Sequence, residues 1–519
     1  MILQRKKLPI GIQSFRVMRE DHYYYVDKTP LIQTLTDNER HYFLSRPRRF
    51  GKSLFLDTLK ELFEGNEKLF VGLAIHDQWD WAVKYPVLRF SFGSKNFRTT
   101  QDLADSLHTQ LTFLEEQWGI TPKFTDAGGR LIQLIVDLQQ RTQQKVVLLI
   151  DEYDKPILDA LDYPEVANAN RDFLRGFYSI IKDYDAHIRF SFLTGVSKFS
   201  KVSLFSGLNN LLDITLMPEF SAICGYTEAD LDEVFAPELV GLERERIKAW
   251  YNGYNWLGES VYNPFDILQL FRNREFRSYW FETGTPTFLV KQLARNRFFT
   301  PDLEALQSDN ALLSAFDVGN MSNEALLFQT GYLTIKGVEQ LVFGYPIYTL
   351  AYPNLEVKNS LNTSLLGAYG IDEGFALRSR LSLLKSLQRN TLEELRIIFH
   401  AFFASIPHQW YTQNDMANYE GYYASVFYSY FAALGLNVTV EDSTNHGRID
   451  MTLQFNQCVY IFEFKVIELA PKGKAMQQLK DKAYADKYRA LKQPIYLIGV
   501  EFAKTERNIV GFEVEEVSR

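Results

Sequence analysis

The strongest constraint on the fold is a pair of carboxylates carried by two apolar segments near the C-terminus. Asp450 ends the motif Gly447-Arg448-Ile449-Asp450, and thirteen positions later Glu463 lies within the apolar run Ile461-Phe462-Glu463-Phe464-Lys465. Side chains alternate along a strand, so Glu463 and Lys465 are predicted on one face. The alternatives are a strand-end cap for Asp450 and an exposed ion pair for Glu463 and Lys465. The apolar flanks favour a buried functional site, because burying a charge is costly.

Two carboxylates in this arrangement suit a hard divalent cation. Mg²⁺ takes oxygen ligands and keeps several waters, so Asp450 and Glu463 are predicted metal ligands. Such a metal lowers the pKa of a bound water and stabilises charge on a reacting phosphate, and Lys465 is predicted to hold or activate that water. Glu420 is a candidate outer carboxylate, and Gln478 is a candidate for orienting a phosphate or Lys465. The segment therefore predicts Mg²⁺-dependent phosphodiester cleavage, with Mn²⁺ as an alternative cation.

A second phosphate-related motif lies about 400 residues upstream. Residues 41–44 are predicted to form a strand and residues 53–63 a helix, and the loop between them ends in Gly51-Lys52-Ser53. In a P-loop, backbone N–H groups cradle phosphates, the lysine reaches the β- and γ-phosphates, and the serine binds Mg²⁺. Arg46 stands where the general pattern has its first glycine. The predicted nucleotide-binding residues are Arg46, Pro47, Arg48, Arg49, Phe50, Gly51, Lys52, Ser53 and Leu54.

Two further strand ends complete the predicted nucleotide site. The apolar segment 145–150 runs into Asp151, predicted to steady Mg²⁺, and Glu152, predicted to polarise the attacking water. An ordinary parallel strand with a capping acid is the alternative. Thr194 follows another predicted strand and is placed to sense the γ-phosphate. Residues 86–92 form a fourth apolar run. Four such strands with helical connections predict a doubly wound parallel sheet that binds ligands at the carboxyl ends of its strands.

The N-terminal motifs resemble those of a bacterial AAA-ATPase-like family, near the STAND-type and AAA+ ATPases. The resemblance is carried by residues 25–29, 46–54 and 149–156, and it continues through residues 194–198, 225–227 and 250–254. In that family the Arg-Pro-Arg-Arg form of the loop is usual. The resemblance implies ATP as cofactor and a P-loop ASCE/AAA-like parallel sheet. Arg171, Arg175 and Lys198 are candidates for an arginine finger or its equivalent.

The C-terminal third resembles a PD-(D/E)XK nuclease core, the restriction-endonuclease-like α/β fold that ends many AAA-ATPase-like proteins. Its pattern is a helix, the two strands of the metal site, a helix containing Gln477, Gln478 and Tyr484, and a strand over 495–500. In the first helix, Tyr423, Phe427 and Phe431 recur at helical spacing and are predicted to form its buried face.

The chain is thus predicted to be an α/β multidomain protein. Residues 1–224 are predicted to form the ATPase domain, 225–367 a helical lid with a winged-helix-like region, 368–410 a helical connector, and 411–519 the nuclease domain. Within the middle region, residues 326–335 and 342–348 are predicted to form a β-wing. This region is expected to act as a nucleotide-coupled packing surface more than as a DNA-binding module.

Charge and composition narrow the partners. The net charge of −8 argues against general polyanion binding, so a nucleic-acid surface must be local. Residues 446–493 contain nine Lys/Arg and five Asp/Glu, which favours phosphate contact, although an ion-paired surface would have the same composition. Nucleic acid is the expected partner, DNA rather than RNA. Self-association through the ATPase domain is left open.

The remaining sequence features predict a cytoplasmic protein with no membrane partner. The N-terminus lacks a secretory signal and no apolar run approaches the length of a membrane span. The two cysteines, Cys224 and Cys458, are best explained as core thiols.

The leading functional prediction is an ATP-regulated, Mg²⁺-dependent nuclease, with a role in defence or mobile-element conflict resting on family analogy alone. The alternative is a nucleotide-switched scaffold or DNA-binding regulator whose nuclease fold does not cleave.

Overall fold

The computed structural model describes most of the chain. The described residues are 5–198, 210–284, 289–290, 293, 298–309, 322–342, 344–368, 373–406, 420–468 and 472–517, with backbone alone at 341, 342, 368, 373 and 420. The chain divides into two compact units. The first comprises Met1–Trp280 and Leu306–Asn354, and the second comprises Phe281–Ala305 and Leu355–Arg519. Every described helix is too short or too polar to serve as a membrane span.

A five-stranded parallel sheet forms the centre of the first unit. Its strands are β1 (His41–Ser45), β2 (Val87–Ser91), β3 (Val146–Asp151), β4 (Ile188–Gly195) and β5 (Leu212–Asp213). They lie in the order β2-β3-β4-β1-β5, so β4 separates the strand before the phosphate loop from the strand that ends in Asp151. All residues of β1 and β3 are buried, as expected for central strands of a parallel sheet. The predicted parallel sheet is confirmed, with β5 as an additional edge strand.

Helices connect these strands and continue beyond the sheet. They are α1 (Phe15–Glu20), α2 (Thr29–Asp37), α3 (Lys52–Phe63), α4 (Thr100–Trp118), α5 (Ala127–Thr142), α6 (Lys155–Leu158), α7 (Pro164–Asp183), α8 (Glu228–Val234), α9 (Ala236–Leu239), α10 (Arg244–Tyr251), α11 (Pro264–Asn273), α12 (Tyr279–Glu282) and α13 (Asn323–Thr330). Helix α4 begins with a capping box between Thr99 and Asp102. Helix α3 begins after Gly51, whose φ of +95° lies in the region that favours glycine.

A small antiparallel sheet follows the helices of the first unit. It consists of β6 (Leu306–Asp309), β7 (Thr334–Val342) and β8 (Tyr345–Ala351), in the order β6-β8-β7. The hairpin of β7 and β8 corresponds to the predicted β-wing. The extension of that wing back to residue 326 is wrong, because helix α13 continues to Thr330 and ends at Gly331, which has a φ of +90°.

The second unit contains a five-stranded mixed sheet. Its strands are β9 (Asn437–Thr444), β10 (Gly447–Phe455), β11 (Cys458–Val466), β12 (Ile495–Ala503) and β13 (Asn508–Glu516), in the order β13-β12-β11-β10-β9. Strands β11 and β12 are parallel and the other pairs are antiparallel. The predicted nuclease order of elements is present, and β9 and β13 extend the sheet at its two edges. Asp450 lies inside β10 and does not end a strand.

The described part of this unit includes the helices α14 (Leu355–Ala368), α15 (Glu373–Arg389), α16 (Glu393–Ser405), α17 (Glu420–Ala433) and α18 (Lys474–Asp481). Helices α16 and α17 share an aromatic core in which the rings of Phe399 and Phe427 are 3.6 Å apart, centroid to centroid. Tyr423, Phe427 and Phe431 are all buried, which confirms the predicted face of α17. Helix α18 packs on β11 and β12.

Candidate functional site

The phosphate loop brings Lys52 into the interior of the first unit. Lys52 is the first residue of α3 and is 7% exposed. Its Nζ donates to the carbonyl oxygens of Arg46 at 3.0 Å and Pro47 at 2.9 Å. Burial lowers the pKa of Lys52, and the nearby carboxylate of Asp151 opposes that change. The lysine is therefore held at the loop and within the electrostatic influence of Asp151.

The sheet places the predicted catalytic carboxylates beside this loop. Asp151 is aligned with Thr194 on β4, and Thr194 is aligned with Leu44 on β1. Glu152 follows with a φ of +51°, a left-handed backbone conformation that is uncommon for non-glycine residues. Burial raises the pKa of Glu152, and Asp151 raises it further. A carboxylate with a raised pKa is suited to accept a proton from water.

Thr194 and Asp154 use their side chains to hold these strand ends together. Thr194 Oγ1 donates to the Leu44 carbonyl at 2.9 Å, so this hydroxyl bridges β4 and β1. Asp154, a residue that sequence reasoning gave no role, accepts hydrogen bonds from Val196 N at 3.0 Å and from both Ser197 N and Oγ at 2.6 Å. Asp154 thus fixes the segment after Glu152 against the end of β4.

The other predicted nucleotide-binding residues occupy different environments. Ser53 and Leu54 are half-buried in the first turn of α3, and Phe50 is buried. Arg48 and Arg49 are exposed, and the Arg48 carbonyl accepts a hydrogen bond from the Trp280 indole at 3.0 Å. Arg46 and Pro47 are buried.

The candidate finger residues have acidic neighbours. Arg171 and Arg175 both contact Asp172, at 3.2 and 3.3 Å, and Lys198 pairs with Asp213.

The nuclease motif forms a compact cluster in the second unit. Glu463 is fully buried on β11, and its Oε1 lies 2.8 Å from Lys465 Nζ. The shared face predicted for these two residues is thus confirmed by their contact, and the burial of Glu463 excludes an exposed ion pair. Asp450 Oδ2 accepts a hydrogen bond from the Phe464 backbone N–H at 2.7 Å. In the antiparallel pairing of β10 with β11, Met451 lies opposite Phe462. Continuing this register by one residue would place Asp450 opposite Glu463.

Gln478 approaches this cluster from helix α18. Its amide nitrogen donates to Glu463 Oε1, the oxygen that also contacts Lys465. The close packing of α18 depends on Gly499, which is aligned with Glu463 on the neighbouring strand β12. A Cβ at position 499 would lie 2.7 Å from the Met476 backbone nitrogen on α18. Gly499 therefore allows the helix to bring Gln478 to the carboxylate.

Tyr484 is a further member of the cluster, and sequence reasoning placed it in the same helix as Gln478. That placement is wrong, because α18 ends at Asp481 and Tyr484 begins the 3₁₀ segment Tyr484–Leu491. Its hydroxyl donates to the Arg448 carbonyl at 2.9 Å. Burial raises the pKa of Tyr484, and the carboxylates of Glu463 and Asp450 also raise it.

The donor set is compatible with Mg²⁺. Two carboxylates supply the hard oxygen ligands that this ion prefers, and it retains waters at other positions. Within the described ranges, histidine, cysteine and acidic side chains form no group of three or more suited to a metal ion. The third predicted carboxylate, Glu420, begins helix α17, but its side chain lies outside the described part of the chain.

Much of the positive charge of residues 446–493 is paired with acidic side chains. Besides Lys465 with Glu463, the described residues of this segment form ion pairs of Arg448 with Glu441, Lys487 with Asp442, Arg489 with Asp486, and Lys480 with Glu515. The ion-paired surface considered above thus accounts for part of the local composition. Four other lysines of the segment are exposed: Lys472, Lys474, Lys482 and Lys492.

Comparisons with known proteins agree with this division into an ATPase-like and a nuclease-like part. A family model described as "Predicted AAA-ATPase" matches residues 9–205, and one described as "PD-(D/E)XK nuclease superfamily" matches residues 418–512. The chain is 60% identical over 516 residues to the "Uncharacterized protein in vnfD 5'region" of Azotobacter chroococcum mcd 1, covering 99% of this chain and 100% of that one. The chain therefore belongs to the AAA-ATPase-like family and carries a C-terminal domain of the PD-(D/E)XK nuclease superfamily.

Proposed function

We propose that this protein binds and hydrolyses ATP in its first unit and cleaves nucleic acid in a Mg²⁺-dependent reaction in its second unit. The observation that carries the nuclease proposal is the buried carboxylate of Glu463, held by Lys465 and Gln478 on the strand next to Asp450. Such a charge costs free energy to bury, and its two donors fix its orientation.

The roles of the nuclease residues follow from their positions. Asp450 and Glu463 would hold Mg²⁺, which supplies a water of lowered pKa and stabilises negative charge on the phosphate. The Lys465 ammonium holds Glu463 in place and lies where it can orient a water. Gln478 fixes the same carboxylate, and Tyr484 ties the 3₁₀ segment to the backbone of β10. Glu420 is proposed as an outer carboxylate from its position at the start of α17.

The nucleotide residues are assigned by the same reasoning. Lys52 would contact the β- and γ-phosphates, and Ser53 and Asp151 would hold the accompanying Mg²⁺. Glu152, with its raised pKa, accepts the proton of the attacking water. Thr194, whose hydroxyl joins β4 to β1 at the Leu44 carbonyl, would sense the γ-phosphate from the end of β4.

Nucleic acid is the proposed substrate, with DNA preferred to RNA. The exposed lysines of residues 446–493 provide positive charge for phosphate contact in a chain whose net charge is −8. Mn²⁺ is proposed as an alternative to Mg²⁺ at this site, because both are bound by oxygen ligands.

The direct test is cleavage of labelled single- and double-stranded DNA and RNA, with Mg²⁺ or Mn²⁺ and with or without ATP. Wild type is compared with Glu463→Gln and with Glu515→Gln, which removes an exposed carboxylate from β13. We expect cleavage by wild type and Glu515→Gln and none by Glu463→Gln. Binding of nucleic acid without cleavage by wild type in every condition would favour the scaffold or regulator.

A further inference from the structure

Arg46 occupies the first position of the phosphate loop but its side chain does not face solvent. The residue is 0% exposed, and its guanidinium donates to three backbone carbonyls. These belong to Ser45 at 2.8 Å, Thr215 at 2.9 Å and Phe220 at 2.9 Å. The guanidinium is therefore hydrogen-bonded to backbone carbonyls in the protein interior. The backbone of the loop itself would bind the phosphates.

An aromatic ring covers the same guanidinium. The central carbon of the Arg46 guanidinium lies 4.1 Å from the centroid of the Trp256 ring, a cation–π arrangement. Trp256 also packs edge-on against Phe50, near the other end of the loop, at 5.6 Å between centroids. One ring therefore contacts residues from both ends of the phosphate loop.

The other two arginines of the loop differ from Arg46. Arg48 and Arg49 are exposed, and Arg49 lies over the ring of Phe265 at 5.3 Å. These side chains are accessible to a nucleotide, and that of Arg46 is not.

The backbone of Arg46 also contacts Lys52, the lysine of the phosphate loop. Its carbonyl accepts a hydrogen bond from Lys52 Nζ at 3.0 Å. A shift of Arg46 would thus move one of the two carbonyls that hold the lysine.

We propose that Arg46 is a positioning residue that fixes the phosphate loop against Trp256 and the backbone of 215–220, and that it does not contact phosphate. This inference rests on the proposed binding of ATP. Its physical basis is that burying a guanidinium costs free energy, which is offset here by three carbonyl acceptors at the two terminal nitrogens and by the stacked ring, although Nε is buried without an acceptor among the described residues. Burial lowers the pKa of Arg46 to about 10, which leaves the group charged at neutral pH.

The first test compares ATP and ADP affinities of the full-length wild type with those of Arg46→Met and Arg46→Lys. Loss of positioning should weaken both nucleotides by the same factor, about ten-fold, so that the ratio of ATP to ADP affinity is unchanged. Arg141→Met is the matched control, because Arg141 also donates to backbone carbonyls, those of Trp118 and Gly119. A loss at least ten-fold larger for ATP than for ADP would show phosphate contact, and unchanged affinity for both would exclude positioning.

The second test asks whether Arg46 acts through the Trp256 ring. Trp256→Phe keeps an aromatic face and Trp256→Leu removes it, and each is made with Arg46 and with Met at that position. With Arg46 present, ATP should bind about five-fold more tightly to the Phe variant than to the Leu variant, in keeping with a cation–π contact. In the Arg46→Met background this difference should vanish. An equal difference in both backgrounds would overturn the proposal.

Folding and nucleotide binding are separated by a third measurement. The midpoint of thermal unfolding is measured without nucleotide for the same four proteins, Trp256→Phe and Trp256→Leu each with Arg46 or with Arg46→Met. If Arg46→Met does not fold, Arg46→Lys takes its place. Wild type that binds neither ATP nor ADP would reject the proposed function. The unfolding cycle would then still measure the Arg46–Trp256 pairing, and additive effects would overturn it.

Discussion

The amide of Gln478 and the carboxylate of Glu463 are joined by a hydrogen bond from helix α18 to strand β11. The acceptor is Oε1, the oxygen that also contacts Lys465. Two donors on one oxygen restrict the rotation of the carboxylate and leave its second oxygen in a defined direction. The orientation of the proposed metal ligand thus depends on a helix that follows it in the chain.

Replacing Gln478 should impair cleavage without loss of the fold. Gln478→Met keeps the length of the side chain and removes the donor, and residues that orient metal ligands typically contribute about 10- to 100-fold. We expect a cleavage rate lower by that factor and a higher Mg²⁺ requirement, measured by a metal titration. Gln477→Met is the control, because Gln477 is exposed and its amide oxygen accepts a hydrogen bond from Lys474 on the same helix. Equal losses in both variants would refute a specific role.

Lys465 should be essential for cleavage and nearly dispensable for folding. Lys465→Met removes the ammonium beside Glu463, and loss of a group that handles a reacting water typically lowers rates by about 100- to 10,000-fold. Glu463 keeps its bond from Gln478, so we expect a folded protein with a modestly lower unfolding midpoint. The measurements are cleavage rate and thermal unfolding. Cleavage at the wild-type rate would remove Lys465 from the mechanism.

Substitutions of Lys52 and Glu152 should affect ATP binding and ATP hydrolysis differently. Lys52→Ala removes the only side chain assigned to the β- and γ-phosphates and should abolish ATP binding. Glu152→Gln should keep ATP binding and lose turnover, because the amide cannot accept the proton of water. Binding is measured by calorimetry and turnover by phosphate release. Unchanged ATP affinity in Lys52→Ala would contradict the assignment of Lys52 to the phosphates. Normal turnover in Glu152→Gln would contradict the assignment of Glu152 to the attacking water.

ATP affinity should fall at alkaline pH because the pKa of Lys52 is lowered by burial. Phosphate binding requires the ammonium, so affinity is highest below this pKa and declines as the pH rises through it, by up to about ten-fold per pH unit. Lys52→Arg provides the control, since a guanidinium has a higher intrinsic pKa than an ammonium and its loss of charge should occur at higher pH. The measurement is the dissociation constant of ATP between neutral and alkaline pH. A flat profile for wild type, or the same decline in Lys52→Arg, would contradict this prediction.

Nucleotide state should alter cleavage. ATP can shift a conformational equilibrium only by binding its two states with different affinity, so a variant that cannot bind ATP should lose the response. Nuclease rates are compared for wild type and Lys52→Ala with ATP, with ADP and without nucleotide. Rates that differ among these states in wild type and coincide in Lys52→Ala would support gating. Identical rates throughout would mean that the two activities are independent.

The sequence alone was sufficient for features that depend on local pattern. Apolar residues dominate the buried strands β1, β3 and β11, and the contact of Lys465 with Glu463 follows from their spacing of two. Edge strand β9 was missed because polar, exposed residues occupy much of it, and that pattern does not distinguish a strand from a loop.

Features that depend on distant backbone could not be predicted in the same way. Two of the three carbonyls that accept from the Arg46 guanidinium belong to Thr215 and Phe220, about 170 residues away, and nothing near Arg46 in the sequence marks them. The end of helix α18 was also missed, because it depends on Ala483, a good helix former that here has a φ of +47°. Tyr484 was therefore assigned to the helix, although its hydroxyl contacts the carbonyl of Arg448.

Gly499 makes the nuclease site sensitive to substitution at a residue that carries no reactive group. The glycine has no side chain to lose, yet adding even a single methyl group there would push on the backbone of α18 at Met476. A Gly499→Ala protein could retain every acid, amide and ammonium of the cluster and still be inactive, with the helix displaced from Glu463. In a random mutagenesis screen, this position would behave like a catalytic one.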